Sequence, residues 1–388
     1  MKSEDRAPLR LAAILALALL VACGETKTGG NGTGTLPTER EDSLVAGTLA
    51  AAEPFSIGVA EVVTGTAPIR KDEDPNAGAG TLRLGMNVEG AGTVMGPFGT
   101  VPVVLRAGGA QSTVRGPVSS VDAAANRFTV ATLTLVVDGN TLYDSVAGIA
   151  ALTPGAYVEV SGLPLADLRT VLATRVTQTP PDNGRISIAA RIDAFTPQGL
   201  SLAGISVPGA SSANFNPVPA TGSLIRVSGN YNAASHAITN ELVSLLPEFA
   251  PAAGTRVELE GIALDVASNG GFRLRTPARD YDVAPGAAVS APVTSGTRVR
   301  VIARATAPSS LTGASATVVA AQIVYRATGA VSEFSSLAAL RVRGEPVDLT
   351  TAVIRGGNAS DIVNGRRLAI VGTAGPGPLR VAEATLQP

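Results

Sequence analysis

The chain has one cysteine, one histidine, three methionines and no tryptophan. A single Cys23 excludes an intrachain disulfide. His236 and Cys23 together give no ligand set for the usual zinc site. Ser/His/Asp catalysis would rest on His236 alone, and no Gly-x-Ser-x-Gly elbow is present. Aromatic residues are only 3%, so cores must be built from Val, Leu, Ile and Ala. Thirty Lys and Arg oppose 31 Asp and Glu, for a net charge of -1. That balance supplies no overall positive field for phosphate, and nucleic acid is not an expected partner.

What is abundant is glycine (43) and proline (26), with 45% hydrophobic residues. This composition suits many turns between short, half-buried strands. One stretch recurs. Val158-Glu159-Val160-Ser161-Gly162 is followed by Ile225-Arg226-Val227-Ser228-Gly229, Val299-Arg300-Val301-Ile302-Ala303 and Leu368-Ala369-Ile370-Val371-Gly372, and preceded by Met86-Asn87-Val88-Glu89-Gly90. Apolar first and third positions around a polar second read as a strand with one face buried. A spacing of roughly 70 residues marks a repeat, which outranks any local reading.

The best-formed repeat opens at Gly116-Pro117-Val118 and runs through Arg127–Val130 and Leu133–Val137. Asp138-Gly139-Asn140 predicts a hairpin turn. The recurring strand follows, then a closing strand, Val171–Val176. In three repeats the closing apolar residue lies 14 after the small residue, at 176, 243 and 386. In the repeat containing Ala303 it is expected at 323, 20 residues on, with closure over Val318 to Val324 and a longer hairpin. The first repeat, opening at Ile57-Gly58-Val59, reads as partial or offset. Five strands in about 65–70 residues are too few for an immunoglobulin-type sandwich and fit a small OB-like barrel. The expected fold class is all-β, with about five tandem five-stranded OB-like barrels behind a signal peptide and flexible tether. The expected segments are 1–22 signal peptide, 23–52 Gly/Thr-rich tether, 53–112 unit 1, 113–180 unit 2, 181–248 unit 3, 249–326 unit 4 and 327–388 unit 5. Short joints between them predict a semi-rigid string.

The amino terminus carries the clearest address. Leu11–Ala22 is an unbroken apolar run, too short to span a bilayer and suited to a signal-peptide core. Leu20-Val21-Ala22-Cys23-Gly24 resembles the bacterial lipobox, which implies acylation of Cys23 and a membrane anchor. Gly24 in place of Asp resembles the outer-membrane sorting pattern. The Gly-x-Val…Asp opening at Gly116–Asp122, the Val158–Gly162 strand and the short closing strand resemble a bacterial family, the domain of unknown function numbered 5666. The resemblance implies an OB-like fold and an exported location, and brings no catalytic residues.

Candidate chemistry is sparse. Asn232-Ala233-Ala234-Ser235-His236 predicts a hairpin turn, and His236 is expected to be solvated there. Asp72-Glu73-Asp74 lacks the spacing of a calcium loop and is expected to be a solvated charge cluster. Asp265 could pair with Asp280 or Asp282, but spacing cannot place them. Tyr143 and Tyr281, near turns, are the rings expected to be exposed for ligand contact. No metal or cofactor is expected. The expected function is a non-enzymatic envelope lipoprotein, anchored by acyl chains on Cys23 and presenting its units to an envelope protein. A glycan-binding module and a passive spacer are the alternatives.

Overall fold

A computed structural model describes residues 40–388, apart from 59, 95–101, 197–198, 212–214, 216, 290 and 320–321. The apolar run, Cys23 and the first part of the expected tether lie outside the described residues. Barrel 1 is built from β1 (Glu41–Ala52), β2 (Phe55–Ile57), β3 (Ala60–Val63), β4 (Ile69–Lys71), β5 (Asn87–Val94) and β6 (Val103–Ala110). Barrel 2 has β7 (Val114–Asp122), β8 (Arg127–Val130), β9 (Leu133–Val136), β10 (Leu142–Asp144), β11 (Tyr157–Pro164) and β12 (Thr170–Gln178). Barrel 3 has β13 (Arg185–Thr196), β14 (Gly199–Leu202), β15 (Ile205–Val207), β16 (Leu224–Asn232) and β17 (Ala237–Leu245). Barrel 4 has β18 (Arg256–Leu264), β19 (Phe272–Arg275), β20 (Asp280–Val283), β21 (Ala288–Val289), β22 (Arg298–Ala307) and β23 (Ser310–Val318). Barrel 5 has β24 (Val324–Ser336), β25 (Ala339–Val342), β26 (Glu345–Asp348), β27 (Val353–Arg355), β28 (Arg367–Thr373) and β29 (Leu379–Leu386).

Every barrel closes in the same way. In barrel 2 the long first strand pairs antiparallel with β8, β8 with β9, and β9 runs parallel to the last strand, β12. β12 then pairs antiparallel with β11, and β11 returns to β7. The other four repeat this circuit, as in the β1–β2–β3–β6–β5–β1 ring. Closure removes exposed edges. It also places the recurring stretch on the fourth main strand, between the first and the last. Its apolar first and third residues fill the barrel, as Val158 and Val160 do at 0% exposure. The small fifth residue marks a bulge, not the end of the strand. The β11–β12 register shifts between Ser161 and Gly162. A Cβ on Gly162 would lie 2.4 Å from Val171 Cγ1 and 2.7 Å from the Leu172 carbonyl.

The bulges correct the reading of the first repeat. In barrel 1 the shift falls between Ala91 and Gly92. Val88 pairs with Gly47 on the first strand, as Val158 pairs with Gly116 and Val299 with Gly261. The equivalent stretch is therefore Val88-Glu89-Gly90-Ala91-Gly92, two residues later than the sequence suggested. Gly47 precedes Gly92 by 45 residues, and Gly116 precedes Gly162 by 46. Barrel 1 is a full copy whose first strand, Glu41–Ala52, lies where the tether was expected. The two-residue slip kept every side chain on its correct face, because a strand repeats every two residues.

The expected hairpin at Asp138-Gly139-Asn140 is not formed either. β10 pairs parallel with β12, not with β9, so this turn is a crossover held by an Asp138 side chain that accepts from the Asn140 backbone at 2.8 Å. The fourth repeat needs no long hairpin. Val301 pairs with Ala316, and closure falls on Ser310–Val318 rather than on Val318–Val324.

Residues Glu39–Pro388 form one compact unit, not a string of separate barrels. β1 is the reason. It runs parallel to β18 from Ser43 to Ala46 and parallel to β24 at Ala51 and Ala52. All residues from Ser43 to Ala52 are buried. β7 and β13 pair antiparallel between barrels 2 and 3, and one apolar core runs through both. A strand buried on both faces has no alternation to read, and small residues allow backbones to approach closely. A Cβ at Gly47 would sit 2.8 Å from the Glu260 Cβ of barrel 4.

Candidate functional site

The outward positions of the recurring strands build the junctions between barrels. The second residue of each stretch is Glu89, Glu159, Arg226, Arg300 and Ala369 in turn. Arg226, only 1% exposed, donates to Asp72 of barrel 1 at 2.7 Å and to the Ser112 carbonyl at 2.8 Å. Asp72 also accepts from the Ser112 backbone at 2.7 Å and its hydroxyl at 2.8 Å. Glu73 accepts from Ser187 at 2.9 Å and Ser228 at 3.0 Å; partial burial would raise its carboxyl, but the Arg226 guanidinium, helped by these hydroxyls, holds it below the usual range. Of the expected solvated cluster, Glu73 and Asp74 are exposed, whereas Asp72 is buried in a joint between barrels 1, 2 and 3. Glu159 meets Lys71 of barrel 1 at 3.0 Å and Arg115 at 3.7 Å.

Two further junctions use the same chemistry. Arg175 of β12 donates to the Leu84 carbonyl at 2.9 Å, to Glu345 at 2.8 Å and to Asp144 at 2.7 Å, tying barrels 1, 2 and 5. Glu345 in turn accepts from the Leu84 backbone at 2.7 Å. Glu260 of barrel 4 accepts from Thr48 of β1 at 2.7 Å, from Arg298 at 2.6 Å and from Arg300 at 2.8 Å. Burial alone would push this carboxyl up. The two guanidinium groups and the Thr48 hydroxyl overcome that and hold it down to about 2. Buried charges paired across several partners in this way favour one geometry over others.

Glu89 differs from its equivalents. Among the described residues its carboxyl has no hydrogen bond and no ion pair. It lines a cleft of ≈ 50 Å³ where barrel 1 faces Leu224 of barrel 3, Phe249 packed on the barrel 4 core, and Pro277 and Ala278 of barrel 4. A second cleft of ≈ 50 Å³ shares Gln111, Leu224 and Pro277 with it and reaches Arg191. Burial pushes the Glu89 carboxyl up to about 8, Arg279 pulls it down and Glu248 pushes it further up. Arg279 is already engaged, donating to Glu248 at 2.7 Å. In the barrel 4 core Tyr281, 1% exposed, has a hydroxyl with no hydrogen-bond partner among the described residues. Its ionisation is pushed up by burial and by the charge of Glu89.

Both expected ligand-contact tyrosines are thus core residues. Tyr281 packs inside barrel 4, and Tyr143, 6% exposed, belongs to the core of barrels 2 and 3, where burial pushes its hydroxyl up to about 12. Their positions beside turns misled, because in so small a barrel the strand ends still point side chains inward. His236 is exposed in a turn, its ring 2.8 Å from the Tyr231 hydroxyl. Asp265 pairs with Arg273, and Asp280 with Arg275 at 2.8 Å and Arg191 at 2.9 Å. The structure brings arginines, not a second carboxylate, to these acids. Cys23 is outside the described residues. Sequence reasoning did not single out Glu89. The available signal was its place in the recurring stretch, hidden by the two-residue slip.

No curated protein matches the chain. Residues 115–177, which run from the first to the last strand of barrel 2, match the family model described as a domain of unknown function, DUF5666.

Proposed function

We propose that this chain is a lipid-anchored bacterial envelope protein, held at the outer membrane by acyl chains on Cys23, that presents its barrels as a preassembled, non-enzymatic interaction surface. The observation that carries this reading is the burial of Arg175, Arg226 and Glu260 at junctions between barrels. Each is paired across a junction at 2.8 Å or less. Such joints fix the barrels relative to one another, so residues distant in sequence share one outer face. The partner surface in this reading is composite, in place of a row of weak sites along a string. A glycan module would lose the two aromatic platforms first considered for it, since Tyr143 and Tyr281 are buried.

The test is in-cell crosslinking of the full-length lipidated chain, followed by purification and mass spectrometry. Recovery of one protein in stoichiometric amount supports the proposal, and Arg226→Ala should reduce that recovery by loosening the composite face. Recovery of glycan alone favours the binding module, and repeated recovery of nothing favours a spacer. For the anchor, Cys23→Ala is expected to move the protein from the membrane fraction to the soluble fraction.

A further inference from the structure

We propose that the cleft around Glu89 is a binding site for a small alkylammonium group, carried on a free amine or at the end of a lysine side chain. The argument begins with the equivalent positions. Glu159 faces Arg115 on the first strand and Thr177 on the last. Arg300 faces Glu260 and Thr317. Glu89 faces Ala46 on the first strand and Gly109 on the last. Both neighbours are small, neither carries charge, and the space they leave is the cleft floor. Gly108 and Gly109 both belong to β6.

The site is built for a ligand with an apolar body and one positive end. Its walls include Ala46, Leu224, Phe249 and Pro277, and Glu89 is the one carboxylate lining it among the described residues. A volume of ≈ 50 Å³ accommodates on the order of four water-sized groups in a row, the size of a butyl chain. Around the carboxylate, Arg279 and Glu248 already neutralise each other at 2.7 Å. Arg191, which lines the adjoining cleft, is held by Asp280 at 2.9 Å. No cation of the protein is left within ion-pair distance of Glu89 among the described residues. An incoming ammonium supplies it, and its alkyl chain replaces water against the apolar wall. The unpartnered Tyr281 hydroxyl lies near enough to feel the charge of Glu89, so its environment reports on the site from the core side.

The experiment uses the full-length protein with n-butylammonium chloride, a blocked lysine peptide, and n-butanol as the neutral control of equal length. The readout is the carboxyl carbon resonance of Glu89, together with calorimetry. The expected result is a saturable response to butylammonium, about tenfold tighter at pH 9 than at pH 7, because a carboxyl that titrates near 8 must lose its proton to pair. Butanol should give no comparable response. Glu89→Gln should abolish binding while keeping the fold. Gly109→Thr should block the cleft with Glu89 intact: a Cβ there meets nothing closer than 3.6 Å, so the barrel accepts it. Binding of the lysine peptide as well would place the ammonium on a protein partner, and binding of butylammonium alone would place it on a free amine. Equal responses to butanol and butylammonium, binding that survives Glu89→Gln, or no saturable response to either amine would overturn the proposal.

Discussion

Barrels 1 and 2 share a circuit of strands, a bulge and a glutamate at the same place, yet the two glutamates have opposite surroundings. Glu159 lies between Lys71 and Arg115. Glu89 lies between Ala46 and Gly109, and among the described residues no cation is within ion-pair distance of it. The repeat fixes where an outward side chain projects. Its cross-strand neighbours and the barrel facing it decide what that side chain does. In barrel 2 the charge is absorbed into a joint, and in barrel 1 it is left in an apolar cleft.

The largest expected effect comes from breaking a joint outright. Arg226→Ala leaves Asp72 buried at 4% exposure without its guanidinium. Losing one partner of a buried pair costs about 3–5 kcal/mol. Urea unfolding of the full chain should show that loss, and limited proteolysis should speed up near Asp72 and at Gln111–Ser112, the segments that Arg226 holds.

The comparison sharpens with pH, because Glu89 and the paired Glu260 shift in opposite directions. Glu260 is held down to about 2, against an ordinary value of 4.5. Its contribution is present above about 4.5 and is lost as pH falls toward 2. Glu89 is raised to about 8. The folded chain keeps a proton there that the unfolded chain releases, so stability falls as pH rises from about 4.5 through 8. Glu89→Gln should flatten that decline and leave the acid limb unchanged. The measurement is melting temperature at a series of pH values, and an unchanged alkaline slope in the variant would contradict the assignment.

Two glycines divide in the same manner. Gly162→Ala forces a Cβ to within 2.4 Å of Val171 at the bulge and should cost about 1–3 kcal/mol. Gly109→Thr meets no such contact, and replacing a strand glycine should raise stability by about 0.5–1 kcal/mol. Chemical denaturation of both variants tests the pair. Destabilisation by Gly109→Thr as large as by Gly162→Ala would mean that the cleft beside Glu89 is already filled.

The sequence by itself determined the barrels. Alternation in stretches such as Val158–Gly162 fixed which residues point inward, and the spacing of the small residues fixed the number of repeats. Those are local and periodic facts, and a period of two survives even an error of two in alignment. Only the tertiary structure decided the rest. Glu41–Ala52 looked like a tether because a strand of small residues buried on both faces carries no alternation. Asp72 and Arg226 lie 154 positions apart, and nothing local to either forecasts their pairing. Glu89 read as one more outward charge until Ala46, Gly109 and the facing barrels showed what its strand had been packed against. Barrel interiors follow from the chain's own periodicity; the joints and the cleft follow from which outer faces meet, and that is set by contacts between residues far apart in sequence.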